Sequence, residues 1–226
     1  MKYSEIFYTL QGEGKLLGMP SVFFRTSYCN LRCRWCDSAY TSWYPENKDI
    51  SVDEAFVQID KFGIEHVVIT GGEPFIQTEP LTELCQRLHD NGNHITIETN
   101  GTVFLPVKAD LISLSPKLAN SIPTDDRQWN KRHERERINH DVLAQFLDNY
   151  DCQVKFVVDT EDDLSEIKQL AAQINILKTA IILMPQGVEE AVIKQKQTWL
   201  VELCKKHGYR YSPRLHINIW GDTRGT

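Results

Sequence analysis

Three cysteines crowd into eight residues of this chain: Cys29, Cys33 and Cys36 in CNLRCRWCD, spaced C-x3-C-x2-C. Thiols that close in sequence converge from one loop, so whatever flanks the loop has to hold its two ends. The chain has 226 residues and six cysteines, and a chain of this size buries a core without disulfides. Its N-terminus, MKYSEIFYTLQGEG, lacks the charged and then apolar pattern of a signal peptide. Its apolar runs, such as AIILMP at 180–185, are too short to span a bilayer. These features predict a soluble cytoplasmic protein, in whose reducing surroundings clustered cysteines serve metal binding or catalysis. The formal net charge of −6 argues against a nucleic-acid partner.

Apolar runs of strand length lie at 21–26, 66–72, 94–99, 111–116, 153–158 and 180–185. Helix-like stretches separate them. Ser51, with Glu54 three residues on, opens one in a capping box, and Gly63 closes it. Others run over 79–90, from Thr160 with acids in its first turn, and over 188–207 before Gly208. This alternation predicts an α/β fold, a partial (β/α) barrel of about six mostly parallel strands, with ligands at the strands' carboxyl ends. A single domain over 1–226 is expected. The polar stretch at about 118–138 reads as a surface loop or helix, or alternatively as a lid anchored by Trp129.

What can three bunched thiols hold? Structural zinc takes four ligands, usually in two separated pairs. No second pair exists here, and Cys85, Cys152 and Cys204 sit in apolar helix- or strand-like segments, as small buried hydrophobes do. A [4Fe–4S] cluster is held by thiolates, and three of them leave one iron without a protein ligand. That iron can bind the amine and carboxylate of the methionine within S-adenosylmethionine. A second motif, TGGEP at 70–74, follows the strand at 66–72. Adjacent glycines let backbone approach a ligand closely, and Pro74 can open a helix.

The two motifs together resemble the radical S-adenosylmethionine superfamily. FYTLQGEGKLLGMPSVFFRTSYCNLRCRWCDSAYTSW, VVITGGEP, IETNGT, SLSPK and LHINIWG further resemble the 7-carboxy-7-deazaguanine synthase family within it. The resemblance spans the chain and is weakest from about 118 to 195. It implies a lyase with a [4Fe–4S] cluster on Cys29, Cys33 and Cys36. It places S-adenosylmethionine against Asp37, Ser38, Gly72, Glu73, Ser115, Pro116, Lys117, Pro185 and Gln186, and Mg2+ on Ser38, a hydroxyl suited to a hard cation.

The substrate it implies is 6-carboxy-5,6,7,8-tetrahydropterin, converted to 7-carboxy-7-deazaguanine with loss of ammonia on the route to queuosine, a tRNA modification. The implied contacts are Leu10, Gln11, Gly12, Glu13, Arg25, Thr70, Glu98, His216 and the C-terminal Thr226. Arg25 would meet the substrate carboxylate, and Glu98 the guanidine-like pterin edge. A homodimer is implied, as is an electron donor such as an acidic flavodoxin, steered by Lys15, Arg32 and Arg34. Other radical enzymes, such as glycyl-radical activating enzymes, share the cysteines and GGEP but not QGEG or the continuation C-D-S. A zinc-binding module is the non-enzymatic alternative.

Overall fold

Side chains alternate across each strand, and in this chain the two sets differ in chemistry. Val22 and Phe24, Val67 and Ile69, Ile95 and Ile97, Ile112 and Leu114, and Val154, Phe156 and Val158 all belong to one apolar core. The residues between them include Arg25, Thr70, Glu98, Ser113 and Lys155, which line a cavity. Each strand therefore turns an apolar face to the helices and a partly polar one to the interior.

The computed structural model describes residues Met1–Thr226. The strands are β1 (Lys2–Leu10), β2 (Pro20–Thr26), β3 (Lys48–Asp49), β4 (His66–Gly71), β5 (His94–Thr99), β6 (Leu111–Leu114), β7 (Cys152–Val158), β8 (Ile181–Pro185) and β9 (Arg210–Tyr211). They form one sheet in the order β3-β1-β2-β4-β5-β6-β7-β8-β9. From β2 to β9 every neighbouring pair is parallel, while β1 is antiparallel to β2 and β3 to β1. The sheet curls without closing, since β3 and β9 are its edges.

The helices are α1 (Val52–Asp60), α2 (Thr78–Asp90), α3 (Arg127–Glu136), α4 (His140–Asn149), α5 (Asp163–Gln173), α6 (Glu190–His207) and α7 (Leu215–Trp220). The capping box expected at Ser51 and Glu54 is present, and Gly208 ends α6 at φ 73°. No helix is long and apolar enough to cross a membrane.

All six expected strands are present. The structure adds β1 ahead of them, so two strands precede the cysteines. It also adds α4, α7 and the short edges β3 and β9. The polar stretch holds α3, capped by Asp126, whose side chain accepts from the backbone N–H groups of Gln128 and Trp129.

Phe146 of α4 is fully buried and meets Phe75 and Phe104 edge-on, at 5.0 and 4.9 Å between centroids. Phe75 continues the GGEP turn, so this packing sets the turn's height above the sheet. Phe146→Ala is expected to cost about 3–5 kcal/mol of stability. Urea unfolding checks this.

Candidate active site

The cysteine loop leaves β2 through Tyr28, whose φ of 72° is rare for a bulky residue. The strain sits where the loop meets the GGEP turn. Gly72 N–H donates to Thr26 O (3.1 Å) and Glu73 N–H to Tyr28 O (2.9 Å). A Cβ on Gly72 would strike the Tyr28 carbonyl. The sequence suggested that these glycines admit a ligand; in the structure Gly72 admits the backbone of the cysteine loop. Glu73 lies under this junction, fully buried. Its carboxylate accepts from Phe75 N (3.1 Å), Thr99 Oγ1 (2.8 Å) and Asn100 N (2.8 Å). Burial raises its pKa in spite of those bonds. Glu73 thus pins the turn, and with Pro116 and Pro185 it is not part of the cavity wall.

The segment between β6 and α4 braces the loop from the other side. His133 of α3 is buried and accepts at Nδ1 from Arg32 N–H (3.2 Å), while its Nε2 lies 2.9 Å from Ser121 Oγ. Arg34 N–H donates to Ser121 O (2.9 Å), and Trp35 Nε1 to Asn120 O (3.0 Å). Arg32 and Arg132 both stack on Trp129, at 4.4 and 4.8 Å. Trp129 anchors this support for the cysteines; the segment does not cover the cavity as a lid would.

Cys29, Cys33 and Cys36 line one cavity of about 720 Å3. Burial, then the Glu73 charge, pushes Cys29 up to about 12, and burial pushes Cys33 higher still. A coordinated cation supplies the positive charge that would hold them as thiolates. Leu31 N–H points at the Cys29 sulfur from 3.4 Å, a donor that favours the thiolate. Three thiols lining one cavity, with no disulfide among them, fit an iron–sulfur cluster held by three thiolates.

The same cavity is lined by Asp37, Ser38, Gly72, Ser115, Lys117 and Gln186, among the residues expected near S-adenosylmethionine. Lys117 Nζ donates to Ser115 Oγ (2.8 Å). Ser38 Oγ lies 3.4 Å from Asp37 Oδ1. Every residue expected near the substrate also lines it: Leu10, Gln11, Gly12, Glu13, Arg25, Thr70, Glu98, His216 and Thr226.

Two residues that sequence reasoning missed organise that set. Lys155 on β7 pairs with Glu13 and lies 3.7 Å from Glu98. Arg214, just before α7, joins Glu13 (3.2 Å) to Asp37. Burial alone would raise Glu13, but Lys155, Arg214 and His216 outweigh it and hold the carboxyl well below its usual range. Lys155 is held above its own, because Glu13 and Glu98 overcome its burial. A lysine inside the apolar run QVKFVV was the available signal for Lys155; nothing local marks Arg214.

Gly12 is required because His216 packs where a Cβ would stand. Its carbonyl accepts from Leu215 N–H at 2.9 Å, which docks α7 on the end of β1. Arg25, expected to face an anion, already donates to Glu5 (2.8 Å). Tyr40 and Arg224 bind the same carboxylate, and Arg224 also grips Glu46 and stacks on Tyr40 at 4.0 Å. That anchors the tail Asp222–Thr226 along the cavity. Lys15 pairs with Asp151, just before β7, and Arg34 with Asp159, just past the strand's end.

Residues 23–146 match the profile of the Radical SAM superfamily. The chain is 43% identical to a 7-carboxy-7-deazaguanine synthase of Halobacterium salinarum, over 99% of this chain and 91% of that one. It is 42% identical to one of Rhodopirellula baltica, over 99% and 88%. Its fold is similar to the crystal structure of QueE from Escherichia coli, with a TM-score of 0.70 and 27% identity over 95% of this chain and 93% of that one.

Burial holds His133 down at about 4, against an ordinary value of 6.5. Its contribution to stability is complete above the ordinary value and is lost as pH falls toward the folded one. Between pH 7 and 4.5 the cluster-free protein should lose on the order of 2–3 kcal/mol through this group. Denaturant titrations at the two pH values, on wild type and His133→Gln, measure it. An equal acid loss in both proteins would contradict the role given to His133.

Proposed function

The chain belongs to the radical S-adenosylmethionine superfamily and, within it, to the 7-carboxy-7-deazaguanine synthases, and from that premise we propose that it converts 6-carboxy-5,6,7,8-tetrahydropterin to 7-carboxy-7-deazaguanine with release of ammonia. The observation that carries this reading is one cavity lined both by three thiols and by Gln11, Glu13, Thr70 and Glu98. Its volume of about 720 Å3 suits a bound small molecule.

Cys29, Cys33 and Cys36 hold the [4Fe–4S] cluster. When bound and reduced, it supplies the electron that cleaves S-adenosylmethionine, and so the radical that takes a hydrogen atom from substrate. Ser115, Lys117 and Gln186 bind S-adenosylmethionine. Ser38, beside Asp37, offers Mg2+ the oxygen donors it prefers.

Thr70 Oγ1 and Gln11 Nε2 donate to the two oxygens of Glu98, at 2.9 and 3.5 Å. Held so, the carboxylate accepts from the amino-pyrimidine edge of the pterin. Lys155 and Arg214 fix Glu13 as a second anionic acceptor. Burial lowers the His216 pKa, which leaves a neutral imidazole able to take a proton from the substrate ring and return it to the departing amine, so that ammonia leaves with no net change at His216. The anchored tail excludes water, with Thr226 at the cavity wall. The electron donor docks beside the cysteine loop, where Arg32 and Arg132 stack on Trp129, a basic face that attracts an acidic protein.

The test is an anaerobic incubation with reductant, S-adenosylmethionine and the pterin, read by mass analysis. Product one ammonia lighter is expected. Unchanged pterin from a protein with full iron would overturn the substrate. Cys33→Ala should lose both cluster and activity, whereas Cys85→Ala should keep about four irons.

Arg224→Ala should raise the KM for the pterin several-fold by freeing the tail, since it removes charge-assisted bonds to two carboxylates. The KM for S-adenosylmethionine should stay near wild type. Equal pterin KM values would show that the tail only packs.

A further inference from the structure

Ser42 follows the single 3-10 turn Ala39–Thr41 and is 3% exposed. Its backbone N–H donates to Ala39 O (3.1 Å), which holds the residue against the cysteine loop. The side-chain hydroxyl has one partner in the structure, the Cys36 sulfur at 3.2 Å. Buried hydroxyls are expensive to leave unpaired, so this contact accounts for the whole of the side chain's hydrogen bonding. Ser38 Oγ stands further off, at 3.9 Å, and also contacts Asp37.

In a free thiol either atom of the Cys36–Ser42 pair can donate. Once the sulfur is a thiolate ligand it has no hydrogen to give, so Ser42 Oγ–H must be the donor. We propose that Ser42 is a positioning residue for the cluster: its hydroxyl donates to the Cys36 thiolate and raises the reduction potential of the bound cluster. The inference rests on the cluster reading above.

The sign follows from charge. One-electron reduction adds negative charge to the cluster and its sulfurs. A fixed donor stabilises the more negative state more, and hydrogen bonds to the sulfurs are among the determinants of cluster potential. The donor is buried and held by the turn, so water does not replace it when it is removed. Cys29 has donors of its own, the backbone N–H of Leu31 at 3.4 Å and, further off, Asn100 Nδ2 at 3.9 Å. Among the side chains that reach these sulfurs, Ser42 stands nearest, at 3.2 Å against 3.9 Å for Ser38 and Asn100.

The test compares wild type, Ser42→Thr and Ser42→Val, reconstituted anaerobically, in a mediated redox titration followed by the electron paramagnetic resonance of the reduced cluster. Thr and Val have nearly the same shape and differ in the hydroxyl. At one fixed potential, Ser42→Val should show a roughly three- to tenfold lower ratio of reduced to oxidised cluster than wild type, with Ser42→Thr close to wild type. Exchange into heavy water supplies a second readout: a deuteron coupling to the cluster spin in wild type and Ser42→Thr that is weaker in Ser42→Val.

Equal midpoints for the Thr and Val proteins, at equal iron content, would overturn the inference and leave the cluster reading intact. Should Ser42→Val load too little iron to titrate, the decision passes to Ser42→Ala, in which the deuteron coupling must be weaker than in wild type by the Ser42 contribution, the Leu31 amide being common to both; equal couplings would overturn the inference. A wild-type protein that binds no iron at all would instead sink the cluster reading itself.

Discussion

Arg214 joins the two halves of the cavity. Its guanidinium binds Asp37, the residue next to the last cysteine of the motif, and Glu13, the carboxylate of the QGEG segment. It also donates to Gly187 O, in the turn after β8. One buried cation therefore fixes the cysteine loop, the segment after β1 and the turn after β8 relative to one another. Asp37 is drawn below the usual carboxylate range, since Arg214 outweighs its burial. Taking such a cation away would leave Glu13 with Lys155 as its remaining cation and Asp37, which reaches solvent, without its ion-pair partner, so the loss falls on the linkage between the segments. Replacement by an apolar residue of the same shape would not restore the linkage, because the geometry of the cavity is carried by the charges.

The rest of the architecture serves that arrangement. The cysteine loop is clamped from one side by the GGEP turn, with Glu73 as its buried pin, and from the other by His133, Ser121 and Asn120. Loops are ordinarily the mobile parts of a fold. This one is fixed at its backbone on both sides. At the opposite end the C-terminal tail lines the cavity, fastened by Arg224 to Glu5 and Glu46. Glu46 is pulled down to about 2, chiefly by that arginine. The Glu46 carboxylate of the latch therefore stays charged well into the acid range.

Much of this was legible in the sequence, and what was not has a physical reason. The six parallel strands announce themselves because strands buried on both faces read as apolar runs. Ser51 and Glu54 announce α1 because a capping box is local. The cysteines and GGEP are contiguous, so their meaning survives without a structure. β1 escaped because KYSEIFYTL is only half buried along most of its length and shows no clean alternation. α7 escaped because it is six residues long and lacks a side-chain cap. It is held by Gly12, which is distant in sequence. Lys155, Arg214 and Ser42 take their roles from partners many residues away or across a loop, and no periodicity encodes that. Glu73 and Gly72 were located correctly as part of a motif; Gly72 lines the cavity, and both also fasten the turn to the cysteine loop, which a ligand-centred reading of GGEP does not anticipate.

The central claim is that three thiolates hold a cluster with one iron left open to S-adenosylmethionine inside this cavity. Electron–nuclear double resonance on the reduced wild-type protein, with S-adenosylmethionine isotopically labelled at its amino nitrogen, tests it most directly. The account predicts a strong nitrogen coupling that appears only when the labelled molecule is bound. A protein with full iron and no such coupling would mean that the fourth iron is already taken, and would contradict the account.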